Sequence, residues 1–67
     1  MKIKYPILKK MMMEQGIGCW DIAKQIKAKN YITEKKLAGE MNMSDWEKIK
    51  IKVMLGTEIT VKELFSA

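Results

Sequence analysis

A chain of 67 residues has room for one small domain, near the lower limit at which a protein folds without metal or disulfide support. Its apolar fraction of 48% is too high for intrinsic disorder, and no apolar run approaches the roughly 18 residues of a spanning helix. One cysteine and no histidine leave no internal disulfide, no thiolate zinc site and no usual general base, while thirteen lysines against eight carboxylates leave a charge of +5 that suits an anionic partner, nucleic acid or membrane surface.

Punctuation along the chain is spaced for helices. Pro6 suits the first turn of a helix, where its missing N–H is not needed. Leu8, Met11, Met12 and Gln15 follow at i, i+3, i+4 spacing, and Gly16 is a natural stop, so the first helix is predicted over 6–15. The methionines are expected to fill core. After Gly16-Ile17-Gly18, the spacing of Ile22, Ala23 and Ile26 predicts a short second helix over 19–26, with Asp21 in the first turn where the dipole favours a carboxylate.

The third helix ends near Gly39, but its start is open. Asn30 is one candidate cap; Thr33 is another, with Ile32 and Leu37 as the pair of a hydrophobic staple. Ser44-Asp45-Trp46-Glu47 then reads as a capping box, with Trp46, Ile49 and Val53 at i, i+3, i+7 as the expected core face and Gly56 as the end. Ile49 to Val53 also alternates with period two, yet a lone strand would have no partner, so a helix is preferred. Thr60-Val61-Lys62-Glu63 is a second capping box, with Ile59 and Leu64 as staple, and predicts a last helical turn ending at Phe65. The expected fold is all-α: a compact bundle of five short helices in one domain, 1–67.

No catalytic constellation is present. Gly16-Ile17-Gly18 lacks the third glycine and the preceding strand of a phosphate loop, the carboxylates are scattered singly, and Cys19 has no histidine beside it. An enzyme is therefore not expected, nor a cofactor or metal. The N-terminal MKIKYPILKK lacks the apolar centre of a signal peptide, which predicts a cytoplasmic protein. Basicity is concentrated in residues 24–36, where Lys24, Lys27, Lys29, Lys35 and Lys36 oppose Glu34 alone. There it coincides with two short helices joined by a short lysine-rich connection, the layout of a helix-turn-helix DNA reader. A solvated lysine face is the plain alternative, and the lack of arginine weakens bidentate reading of guanine.

Taken together, the blocks Tyr5-Pro6 with Leu8 and Met12, Gly16-Ile17, Asp21-Ile22-Ala23-Lys24 and Lys36-Leu37-Ala38-Gly39 resemble the lambda-repressor-like (Cro/cI, xenobiotic-response-element) helix-turn-helix family, in its short prophage form. The later blocks Ile49-Lys50-Ile51-Lys52, Leu55-Gly56-Thr57 and Val61-Lys62-Glu63-Leu64-Phe65 agree with it. The resemblance implies a transcriptional regulator that binds an operator in double-stranded DNA, its second and third helices forming the reader. It puts the recognition helix at about 29–38 and offers Lys29, Asn30, Tyr31, Glu34 and Lys35 to base edges. Cys19, Trp20, Lys24, Lys27 and Lys36 would meet phosphates. A two-fold homodimer on half-sites about 34 Å apart is expected, with helices 4–5 or the termini supplying the contact, although no seam is evident.

Three positions depart from the family pattern. Cys19 replaces a polar phosphate-binding residue, Lys27 replaces the turn glycine, and Thr33 fills the β-branched core position. Together they predict a longer or reshaped turn, with a start at Thr33 as the second option for the recognition helix. Trp20 reads either as core beside Ile17 and Met11 or as an exposed ring on the DNA backbone; Tyr31 is equally open, and Trp46 is expected in the core. The competing functional reading keeps the fold and uses it as a protein-interaction module, an antirepressor or antitoxin-like partner.

Overall fold

Tyr5 holds an extended backbone and Pro6 opens the first helix, α1 (Pro6–Gln15), in a computed structural model that describes residues 2–67. Four more helices follow: α2 (Cys19–Ile26), α3 (Asn30–Leu37), α4 (Asp45–Leu55) and α5 (Val61–Leu64). No strand occurs among the described residues, and the 49–53 segment is helical.

Local chemistry sets most of these limits. α1 and α4 each stop at a glycine in the left-handed region, Gly16 at φ 67° and Gly56 at φ 65°, a conformation that costs glycine little. Asp21 accepts a hydrogen bond from the Gly18 N–H at 2.9 Å, closing the first turn of α2. Ser44 and Glu47 exchange hydrogen bonds as a capping box: the Ser44 hydroxyl accepts from the Glu47 N–H at 3.1 Å, and the Glu47 carboxylate accepts from the Ser44 N–H at 2.9 Å. Thr60 accepts from the Glu63 N–H, but its hydroxyl, rather than its N–H, donates to the Glu63 carboxylate.

The turn between α2 and α3 is not lengthened. Lys27 itself takes the left-handed conformation, φ 57°, and the Ala28 N–H returns to the Ala23 carbonyl at 3.0 Å. α3 consequently starts at Asn30, and the alternative start at Thr33 is set aside. Neither Asn30 nor Thr33 caps it; extended Lys29 precedes it without a side-chain cap. Thr33 is instead fully buried, its hydroxyl donating to the Lys29 carbonyl one turn back at 3.0 Å.

Every helix contributes a side chain to one core: Leu8 and Met12 from α1, Ile22 and Ile26 from α2, Leu37 from α3, Ile51 and Leu55 from α4, and Leu64 from α5. Met43 and Phe65 complete it from the flanking turns. The expectation for α4 is reversed. Ile51 and Leu55 face inward, whereas Trp46, Ile49 and Val53 are exposed. Both rows have helical spacing, and the α4 sequence carries apolar residues on two opposite sides. In α1, Leu8 and Met12 are buried, Met11 is half-buried and Gln15 is exposed, its amide donating to the Leu55 carbonyl at 2.9 Å.

Candidate nucleic-acid interface

α2 and α3 pack through Ala23, Ile22 and Ile26 on one side and Thr33 and Leu37 on the other, which leaves their remaining faces to solvent. Thr33 and Leu37, four residues apart, anchor α3 by one side. Tyr31, Glu34 and Lys35 therefore project from the opposite one, and all three are exposed.

Two open concavities flank the turn and this outer row. The first, of about 390 Å³, lies between α2 and the start of α3 and is lined by Trp20, Lys24, Lys27, Lys29 and Asn30 with the small Ala23 and Ala28 as floor. Three lysines and no carboxylate residue line it. Trp20 is 60% exposed, so the core reading of this ring does not hold; the Lys24 ammonium lies 5.6 Å from its centre. The second concavity, of about 240 Å³, is lined by Tyr31, Glu34, Lys35 and Ala38 of the α3 segment together with Lys2 and Glu40. It mixes donors and acceptors. The first arrangement suits a polyanionic backbone with a flat sugar or base against the indole, and the second suits the mixed polar edges of bases.

Of the ten residues singled out in the sequence, Trp20, Lys24, Lys27, Lys29 and Asn30 thus line the first concavity and Tyr31, Glu34 and Lys35 the second; Asn30 is half-buried and the other seven are exposed. Two do not. Lys36 is half-buried and forms an ion pair with Glu47, so its charge is spent on joining α3 to the start of α4 rather than offered to a phosphate. Cys19 turns its thiol toward the Asn30 carbonyl at 3.7 Å; partial burial and the Glu34 charge raise its pKa, which keeps it a thiol. Glu47 responds to opposing causes. Burial pushes its carboxyl up, but the Lys36 ammonium and hydrogen bonds from Ser44 outweigh this and hold it below the ordinary glutamate value.

Lys2 is the residue that sequence reading missed. It reaches the outer side of α3 because the Lys4 N–H donates to the Leu37 carbonyl at 2.9 Å, laying the N-terminal segment along the end of that helix. A basic MKIK start was visible in the sequence, but the pairing that aims it was not. Comparisons with models of protein families, with curated proteins and with solved structures return no match to the chain.

Proposed function

We propose that this chain binds double-stranded DNA in a sequence-dependent way, as a transcriptional regulator with a lambda-repressor-like helix-turn-helix formed by α2 and α3. The observation that carries the reading is the outer row of α3. Tyr31, Glu34 and Lys35 stand clear of the body, nothing from the C-terminal segment covers them, and the three-lysine concavity adjoins them at the turn. α3 has two turns, short enough to lie in a major groove about 12 Å wide. Lys24 and Lys27 then meet phosphates beside the groove, and so does Lys29, which the resemblance offers to a base edge but which lines the same concavity; Glu34 accepts from cytosine and Lys35 donates to guanine. Asn30, at the rim, pairs with adenine from the start of the helix.

The molecule measures 27 × 21 × 21 Å, less than the roughly 34 Å of one duplex turn, so one copy covers one half-site. The test is duplex selection combined with a salt titration. With Lys24, Lys27 and Lys29 on phosphates, log affinity of one copy should fall against log salt with a slope of about −0.9 per contact. Glu34→Ala and Lys35→Ala should each relax the selected motif at defined positions, whereas Lys24→Ala should weaken all sequences alike. No retention on duplex DNA at low salt would reject this function and favour the protein-interaction module instead.

A further inference from the structure

Opposite the core side of α4, Trp46, Ile49 and Val53 form a continuous apolar row that is 64%, 41% and 70% exposed. We propose that this row is a self-association surface, on which two copies of the chain meet with their α4 helices antiparallel about a two-fold axis near Ile49. The row is complementary to its own reverse. Trp46 and Val53 lie seven residues apart with Ile49 between them, the a–d–a spacing of a helix seam. Reversing one helix about Ile49 lays Ile49 on Ile49, and Trp46 of each copy on Val53 of the other. The large indole meets the small valine, so the seam fills without two indoles colliding.

Charge supports the same register. Asp45 and Lys52 are also seven residues apart, hence on one flank of the row, one at each end. In an antiparallel pair like flanks face each other, so Asp45 of each copy approaches Lys52 of the other. The Lys52 ammonium donates one hydrogen bond to the Thr57 carbonyl at 3.0 Å and keeps two N–H groups for a carboxylate. On the other flank, Lys50 is folded back along its own helix with its ammonium 5.7 Å from the Trp46 ring centre. A parallel pair would instead set unlike flanks together and lay Trp46 on Trp46, where the two indoles collide.

The row spans two turns, about 10 Å along the axis. Three side chains over that length cover far less than the roughly 800 Å² per partner of a standard stable interface, so association in solution is weak and concentration-dependent. The proposal is independent of DNA binding: a monomer can still occupy a half-site, and a dimer can form on no DNA at all.

Sedimentation equilibrium of the natural chain, without DNA and up to millimolar concentration, gives the first reading. Dimer formation that Ile49→Glu weakens at least tenfold is the expected result; so is weakening by Asp45→Lys or Lys52→Asp alone, with recovery in the double variant. The register is read by disulfide trapping in a Cys19→Ser background. Ile49→Cys should cross-link with itself, and Trp46→Cys should cross-link with Val53→Cys when the two proteins are mixed, both faster than the exposed reference Met13→Cys on α1. A chain that stays monomeric at every concentration, a dimer indifferent to Ile49→Glu, or trapping no faster than at Met13 would overturn the proposal. Pelleting with anionic phospholipid vesicles through Trp46, without self-association, would overturn it in favour of a membrane surface.

Discussion

Lys27 is the one non-glycine residue in the left-handed region among the described residues, and it sits at the hinge of the proposed reader. For an L-residue that conformation costs about 1–2 kcal/mol, most of which glycine avoids. Lys27→Gly should therefore stabilise the fold, by about 0.5–1 kcal/mol after allowing for the greater freedom of glycine in the unfolded chain. At this size that is a rise of several degrees in melting temperature, about 4–8 °C per kcal/mol. The same substitution removes a lysine from the three-lysine concavity, so the salt slope of DNA binding should become shallower by about one contact. Stability up and affinity down in one variant is the expected pairing; a variant whose DNA affinity is unchanged would remove Lys27 from the interface. Thr33 makes a contrasting case at the next turn. Its buried hydroxyl bonds to the Lys29 carbonyl, which the Thr33 N–H also reaches at 2.9 Å. Thr33→Val leaves that carbonyl satisfied and should shift stability by less than about 1 kcal/mol in denaturant titration.

Helix limits in this chain follow from short-range chemistry, and most were legible before any coordinates. Pro6 and Gly16 bound α1, the Ser44–Glu47 box starts α4 and Gly56 ends it, because each acts on backbone groups three or four residues away. Ser44→Ala should cost about 1 kcal/mol, measured by chemical denaturation, since it strips the acceptor from the Glu47 N–H. What the pattern could not decide was direction. α4 offers two apolar rows, and only the positions of the other helices select Ile51 and Leu55 for the core over Trp46, Ile49 and Val53. The inward turn of Lys36 was hidden for the same reason, its partner Glu47 lying eleven residues away. That ion pair gives α3 and α4 a shared pH dependence. Glu47 titrates below its ordinary value of 4.5 in the folded chain, so its contribution is complete above that pH and is lost as the pH falls through the lower folded value. Glu47→Gln should flatten stability in that acid range, and Lys36→Ala should cost about 1 kcal/mol at neutral pH but much less once Glu47 is protonated. A stability–pH profile of the two variants reads both effects.

At the scale of the whole molecule, both ends of the described chain close on one another. The Tyr5 and Phe65 rings meet edge to face, 5.3 Å apart, and the Lys48 ammonium lies 5.6 Å from the Phe65 ring centre. Beneath them Leu64, the last residue of the four-residue α5, is fully buried against side chains from the other helices. An isolated helix of four residues has no stability of its own, so α5 exists because Leu64 and Phe65 are drawn into the core and Thr60 caps the turn. The dependence runs the other way as well. A 67-residue core supplies a net stability of only about 3–5 kcal/mol. Replacing a fully buried leucine by alanine costs about 2.7–5 kcal/mol through lost burial and the cavity left behind. Leu64→Ala should thus leave much of the population unfolded at 25 °C, visible as lost helical circular dichroism, although the substitution lies far along the chain from α3. On the proposed function duplex DNA would bind the folded form alone, and it should then restore the signal in proportion to its concentration, as mass action requires. Restoration by a duplex carrying the selected site, but not by the same concentration of random duplex, would tie the C-terminal turn to the reading surface through folding itself; a Leu64→Ala chain that stays fully helical and cooperative would show that the core closes without α5.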